Sequence, residues 1–237
     1  MKILNSIIVP AYNEEKRSAN FIPDLIDFTK KRLHGSEIII VNDGSTDDTE
    51  NIIKKMIKSK NAQDFAKLIG YGVNKGKGNA VAFGVKAAKG DKILFIDADG
   101  SIQPEDIPNM LKKLDDYDLV SGTRLSKKSK IKTNVLRKLF SFGFNSVVSL
   151  LFQYSYRDNL CGFKGFRRNS AKVLFSNLID KRWVFDVELF YKAKKKRFSV
   201  CFLPIKWHHV GNSRVKLWKD PFLWLIRLVM LRIKLSS

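Results

Sequence analysis

The feature that most constrains this chain is a rhythm in its first half, where short β-branched apolar segments alternate with helical stretches. Ser6–Val9, closed by Pro10, then Glu37–Val41, Ala66–Tyr71 and Lys92–Ile96 read as strands. Helical patterns over 14–33 and 78–89, and a polar helix opening near Thr46, lie between them. Strands that are apolar throughout are covered on both faces, and crossovers of this length suit parallel pairing. The expected fold class is α/β: a Rossmann-like, mostly parallel sheet flanked by helices.

Charge divides the chain where the rhythm fades. Of 237 residues, 44 are Lys or Arg and 23 Asp or Glu, a net charge of +21. Residues 1–118 hold 18 basic and 18 acidic side chains, while residues 119–237 hold 26 and 5. A neutral half joined to a basic half suggests that the back end meets a polyanion or an anionic membrane surface. The chain is too apolar for intrinsic disorder, at 44% hydrophobic residues. Two cysteines, Cys161 and Cys201, form no disulfide framework. The N-terminus lacks a signal-peptide layout, so a cytoplasmic protein is expected.

Two apolar stretches punctuate the basic half. Residues 139–156 carry no charge but include several Ser, Asn and Gln. That composition suits a helix packed on the domain or lying in a membrane interface better than a span. Asp220-Pro221 reads as an N-cap with Pro at the first helical position. The helix over 222–235 is amphipathic, with Arg227 and Lys234 on one face and Arg232 on another. An interfacial helix and an ordinary core-closing helix both fit it. The expected organisation is a domain over 1–216, with a nucleotide half to about 118 and a basic acceptor half beyond. A C-terminal amphipathic helix, possible at a membrane surface, occupies 217–237.

Four motifs sit at strand ends. Ile93-Leu-Phe-Ile-Asp97-Ala-Asp99 closes a strand with two carboxylates that point the same way along an extended segment. Like charges that close need a cation between them, and oxygen ligands suit Mg²⁺ or Mn²⁺. The same residues also make a plain turn without metal. Asn42-Asp43-Gly44-Ser45 places an acid where it can accept from a nucleobase or ribose, or cap the next helix. Val9-Pro10-Ala11-Tyr12-Asn13-Glu14 offers an aromatic face and an acid. Asn74-Lys75-Gly76-Lys77-Gly78 is a glycine loop whose amides and helix N-terminus favour phosphate. It lacks P-loop spacing, which disfavours a mononucleotide kinase or ATPase.

Ser6-Ile-Ile-Val-Pro-Ala-Tyr-Asn-Glu14, Val41-Asn-Asp-Gly-Ser45, the glycine loop and Asp97-Ala-Asp99 together resemble the family-2 glycosyltransferases of GT-A fold. Ser121-Gly-Thr-Arg124 looks like that family's Gly-Ser-Arg element. Asp158-Asn-Leu-Cys-Gly-Phe-Lys-Gly-Phe-Arg167 and Arg182-Trp-Val-Phe-Asp-Val-Glu-Leu189 resemble the subgroup that glycosylates dolichyl or polyprenyl phosphate. Within it the glucosyltransferases look nearest and the mannose synthases next.

The resemblance implies a nucleoside held by Pro10, Tyr12, Glu14 and Asp43. It puts Asp97 near ribose and metal, and makes Asp99 the direct ligand of Mg²⁺ or Mn²⁺. Arg124 and Lys164 match a region that meets the acceptor phosphate, and Lys75 or Lys77 would add charge at the diphosphate. UDP-glucose is the expected donor. GDP-mannose comes second, because Ser101 stands where mannose synthases tend to have Gln. Asn42 stands where the family often has Asp. Asp186 and Glu188 match a region that supplies an acceptor base in relatives acting on sugar hydroxyls. With a phosphate acceptor they would orient it or pair with neighbours such as Arg182 and Lys192.

The expected activity is inverting, metal-dependent transfer of a hexose to a polyprenyl phosphate at the cytoplasmic face of a membrane. The alternatives are a mannosyl donor, a sugar-hydroxyl acceptor or, from other classes, a basic nucleic-acid-binding protein or a membrane-surface scaffold. Convergent acids in the neutral half and the lack of a nucleic-acid motif speak against nucleic acid. The basic run from Lys192 to Arg197 reads as a solvated helix face. His208 and His209, adjacent on a strand, point to opposite faces and make no metal pair.

Overall fold

A computed structural model describes residues 2–124, 130–131, 135–154, 156, 158–207 and 220–236. His208 and His209 lie outside these, as does much of the basic segment 125–134.

The strands expected from the first half form, with small extensions: β1 (Asn5–Ala11), β2 (Ser36–Asp43), β3 (Ala66–Tyr71) and β4 (Lys92–Ile96). Helices α1 (Ser18–Arg32), α2 (Thr49–Ser59) and α3 (Lys77–Ala87) connect them. All four strands pair in parallel, in the spatial order β3-β2-β1-β4. The second half continues the same sheet. After α4 (Ile107–Lys113) come β5 (Leu119–Thr123), the short β6 (Lys130–Ile131) and α5 (Val135–Phe152). Then β7 (Phe163–Arg167) inserts antiparallel between β4 and β5. Helices α6 (Arg168–Phe175) and α7 (Phe185–Lys195) precede β8 (Val200–Pro204), which pairs parallel to β5. The chain then forms β9 (Lys206–Trp207), paired with β6, and α8 (Asp220–Lys234). The result is one seven-stranded, mostly parallel sheet.

Two buried clusters cover its faces. One packs α1, α2 and α4 through Phe21, Ile22, Leu25, Ile53 and Met110. The other packs α3, α6, α7 and α8 through Ala80, Leu174, Phe185, Phe190, Leu228 and Leu231. β2 is buried at every position, including its polar ones. Glu37 opens it and ties three neighbours together, accepting from Ser6 Oγ (2.7 Å), Lys67 Nζ (3.0 Å) and the Lys89 amide (2.6 Å).

Helix α8 packs on the domain as a core-closing helix would. Leu228 and Leu231 are buried, Trp224 lies edge-on to Phe144, and Arg227 reaches Asp180 at 3.1 Å. Arg232 does not snorkel to water. It lies over the Tyr191 ring and donates to the Leu151 carbonyl at 2.8 Å. The outer side of α8 stays apolar: Leu223, Ile226, Met230 and Ile233 are all exposed. No helix among the described residues is long and apolar enough to cross a membrane.

Candidate active site

The parallel order places the C-terminal ends of β1, β2 and β4 side by side, the edge where open α/β sheets bind ligands. Their loops are laced together by short polar side chains. Asn13, in a left-handed conformation (φ 48°), donates its amide to Ser45 Oγ at 3.0 Å and accepts from the Thr46 amide at 2.7 Å. Thr49 Oγ1 accepts the Glu14 amide at 2.7 Å, and Glu14 holds Arg17 at 2.5 Å. Asn42 accepts from the Ser45 amide (3.0 Å) and donates to Glu50 (2.9 Å). An Asp here, usual in the resembling family, would set two carboxylates against each other.

Asp43 is buried and braces the glycine loop. Its carboxylate accepts from Tyr71 Oη (2.7 Å), Asn74 Nδ2 (2.9 Å), and the amides of Lys75 (2.9 Å) and Gly76 (3.0 Å). Burial first, and then this carboxylate, raise the Tyr71 pKa. The expected phosphate cradle is corrected at this point. The amides of Lys75 and Gly76 point at Asp43, while those of Gly78 and Asn79 donate to the carbonyls of Arg182 (3.1 Å) and Lys181 (3.0 Å). Four amides around the start of α3 are therefore bound to protein acceptors. Neither Asp43 nor Ser45 caps α2. Asp47 accepts from the Thr49 amide instead.

The two lysines of the loop diverge. Lys75 lies over the Tyr71 ring, whereas Lys77 turns inward and pairs with Asp97 at 2.6 Å. Asp97 follows β4, and its amide donates to Gly162 O at 3.1 Å, extending the antiparallel ladder with β7. That pairing brings Gly162 so close that a Cβ there would fall 1.9 Å from Asp97 Oδ2. Only glycine lets the carboxylate sit where it does. Asp99 Oδ1 accepts the Ser101 amide at 2.9 Å, and Asp99 is half-buried.

Beneath this lies a second pair. Lys164 is fully buried on β7, its ammonium 2.8 Å from Asp186 Oδ1. It also donates to the carbonyls of Cys161 (2.7 Å) and Asn159 (3.0 Å), under the rings of Phe95 and Phe190. Two carbonyl hydrogen bonds and the Asp186 ion pair surround its ammonium. Lys164, expected beside the acceptor phosphate, is fully buried here and braces the interior. Arg124, at the end of β5, forms a two-pronged pair with Asp158 (2.7 and 3.1 Å) and keeps about a quarter of its side chain exposed (27%).

Lys77, Asp97, Lys164 and Asp186 act on one another electrostatically. Burial raises the Asp97 pKa, Lys77 opposes this, and Asp99 adds to the rise. Burial likewise raises that of Asp186, against Lys164 and Lys77. Burial works against the Lys77 charge, but Asp97, Asp186 and Asp99 together raise its pKa above the usual lysine value. Burial also pushes the Cys161 thiol up to about 12, which makes it inert.

For Glu188 the pairing alternative is the one the structure shows. Two residues after Asp186 on α7, it faces away from the site. It accepts from the amides of Ile179 (2.9 Å) and Asp180 (2.9 Å) and pairs with Lys192 at 2.7 Å. It braces a turn from a fully buried position. The lysines after it are not simply solvated either: Lys192 donates to the Ser176 carbonyl (2.9 Å) and Lys194 to that of Gln153.

The carboxylates of Asp97 and Asp99 form a two-residue donor set, and no group of three or more Asp, Glu, His or Cys clusters among the described residues. Two carboxylates fit a hard divalent cation that keeps waters and shares phosphate oxygens, and do not fit an all-protein zinc or calcium cage. The residues that sequence reasoning passed over are the ones that orient others: Gly162, Asp158 and Asp180. Asp180 accepts from the amides of Arg182 (2.9 Å) and Val184 (3.2 Å). Gly162 and Asp158 lie within the quoted Asp158–Arg167 block, which was the signal available for them.

The model of the family described as Glycosyl transferase family 2 matches residues 6–175, most of the chain and the ends of β1, β2, β4 and β5. This chain is a family-2 glycosyltransferase. Among similar proteins, human dolichyl-phosphate β-glucosyltransferase is 34% identical over 224 residues, covering 89% of this chain and 69% of that protein. The Saccharomyces cerevisiae enzyme of the same name is 32% identical over 252 residues, covering 98% and 75%. Solved structures of glucosyl-3-phosphoglycerate synthase from Mycobacterium tuberculosis share the GT-A fold. One, in complex with Mg²⁺ and UDP, aligns with a TM-score of 0.72 at 18% identity, covering 97% of this chain and 79% of that one. Another contains Mn²⁺, UDP and glucosyl-3-phosphoglycerate, with a TM-score of 0.71. In this family-2 domain the antiparallel β7 is what couples the two halves, since its pairing with β4 brings Gly162 to Asp97 and Lys164 under the Phe95 ring.

Proposed function

We propose that this family-2 enzyme transfers glucose, with inversion, from UDP-glucose to a dolichyl or polyprenyl phosphate. The observation that carries the reading is the convergence of Asp97, Asp99 and Lys77 at the end of β4, beside a basic second half, in a chain similar along most of its length to dolichyl-phosphate β-glucosyltransferases. The nucleoside would lie against Pro10, Tyr12 and Glu14 at the end of β1. Asp43 supports it by holding the glycine loop in shape.

Asp97 and Asp99 would hold Mg²⁺ or Mn²⁺ at the donor diphosphate. Such an ion, when bound, neutralises the charge that builds on the leaving diphosphate. The chain's own residues then have three tasks. Lys77 supplies a second positive charge at the same edge. Arg124, held rigid by Asp158, is partly exposed and offers guanidinium protons to the acceptor phosphate. Asp186 and Lys164 fix the floor under Asp97.

An oxygen of the acceptor phosphate attacks the anomeric carbon, the bond from that carbon to the diphosphate oxygen breaks, and its electron pair leaves with the nucleoside diphosphate. A phosphate monoester with a second pKa of about 6 is mostly dianionic at neutral pH, so no general base is required. This agrees with an Asp186 already engaged by Lys164 and a Glu188 filled by turn amides.

Transfer of labelled glucose from UDP-glucose to a polyprenyl phosphate, with Mg²⁺ or Mn²⁺ in vesicles, tests the reading. A metal-dependent glycolipid supports it. Product from GDP-mannose alone reassigns the donor, and product only with sugar-hydroxyl acceptors overturns the acceptor.

The reading places the enzyme on the cytoplasmic face of a membrane. The apolar outer side of α8 and the basic half would rest on an anionic surface, bringing the lipid phosphate to Arg124.

A further inference from the structure

Asp97 is already engaged. Lys77 Nζ lies 2.6 Å from its Oδ1, and its Oδ2 occupies the space a Cβ at residue 162 would fill. The Lys77 side chain is only 17% exposed and lies over the Phe95 ring, 5.7 Å from its centre. Its backbone is equally fixed, because the next two amides of α3 are bound to the carbonyls of Arg182 and Lys181. A cation entering between Asp97 and Asp99 therefore has to share the Asp97 carboxylate with Lys77. The ammonium has little room to retreat and would stand close to a dication, which is costly at low dielectric.

We infer that Lys77 is the resident counter-cation of Asp97, and that it releases this carboxylate to the divalent ion only when the donor's diphosphate arrives to accept the ammonium. The inference rests on the donor-site reading above and deepens it. In the donor-free protein the ion pair relieves the repulsion between Asp97 and Asp99, so the site is stable without metal. With donor present, the diphosphate brings the negative charge that lets metal and ammonium share one site. Metal alone then binds weakly, and metal and nucleoside diphosphate support each other's binding beyond their mutual chelation.

Mn²⁺ binding to the full chain by equilibrium dialysis, with and without UDP, tests this on the wild type, Lys77→Met and Lys77→Arg. In the absence of nucleotide, Lys77→Met should bind Mn²⁺ roughly 5- to 100-fold more tightly than the wild type, the range expected for a coupling between sites. Lys77→Arg, which keeps the cation, should bind it like the wild type. The same Lys77→Met protein should bind metal-free UDP more weakly, so the two affinities move in opposite directions. Lys77→Gln, which keeps a hydrogen-bond donor to Asp97, replaces the methionine variant if that one does not fold, with the same expected direction. Neutral variants that bind Mn²⁺ no more tightly than the wild type, while the wild type still binds it with UDP, overturn the role of Lys77 alone. Absence of Mn²⁺ binding in the wild type even with UDP overturns the metal site and the inference together.

Discussion

At the scale of single residues, the site is shaped as much by what is missing as by what is present. Asp97 can sit beside Lys77 because residue 162 has no Cβ. Replacing Gly162 with Ala should force the carboxylate to move by about an ångström, and misplacement of that order lowers turnover about 10²-fold. Transfer assays together with an unchanged circular dichroism spectrum would establish this, and a fully active variant would refute the placement. Asp99→Ala should lower turnover at least about 10²-fold while the protein melts within a few degrees of the wild type, since Asp99 is half-buried and accepts only one local amide. Normal activity would remove the metal assignment. The acids at 97 and 99 stood out in the sequence at a strand end, but β4 stops at Ile96 and Ala98-Asp99 form a turn. The alternation of an extended strand therefore does not set their directions. Gly162 did not stand out, because a glycine's role here depends on what another strand brings against it.

At the scale of elements, polar side chains buried in the sheet do the joining. Glu37 on β2 binds Ser6 of β1, Lys67 of β3 and the chain after α3. Burial alone would raise its pKa, but the Lys89 amide, Ser6 and Lys67 outweigh this and hold it below the ordinary carboxylate range. A folded-state pKa below the unfolded one contributes stability at neutral pH, and that contribution is lost as pH falls through the folded value. Glu37→Gln should therefore cost about 1–3 kcal/mol at neutral pH, the range for a disrupted buried hydrogen-bonding group. It should also flatten the loss of stability on acidification below the ordinary carboxylate range. Denaturant titrations across that range would show it, and parallel wild-type and variant curves would refute it. The same logic separates Asp186 from Glu188. Both were candidates from their place in the Arg182–Leu189 block, and only the helical rotation between them decides that one meets Lys164 and the other a turn.

At the scale of the whole molecule, charge and apolar surface define one exterior. The basic half supplies the net charge of +21, and α8 exposes Leu223, Ile226, Met230 and Ile233 on the side away from the core. Each basic residue close to an anionic leaflet contributes about 1 kcal/mol. The protein should co-float with vesicles containing phosphatidylserine at low salt and less at moderate salt. Ile226→Asp combined with Met230→Asp should release it while transfer to a short, water-soluble polyprenyl phosphate persists. Failure of the wild type to co-float would remove the membrane-surface role.

Periodicity and strand-end motifs, which are local properties, determined the α/β class and the strands of the first half. They carry that information because apolar faces and the pleat of a strand are set by neighbouring residues alone. Tertiary structure decided everything that depends on two distant segments meeting. It turned Lys164 from a phosphate contact into a buried strut, filled the amides of the glycine loop with Asp43, Lys181 and Arg182, and aimed Lys77 at Asp97. A lysine or an amide has donors in any context. Which acceptor reaches them first is fixed only when the sheet closes around β7.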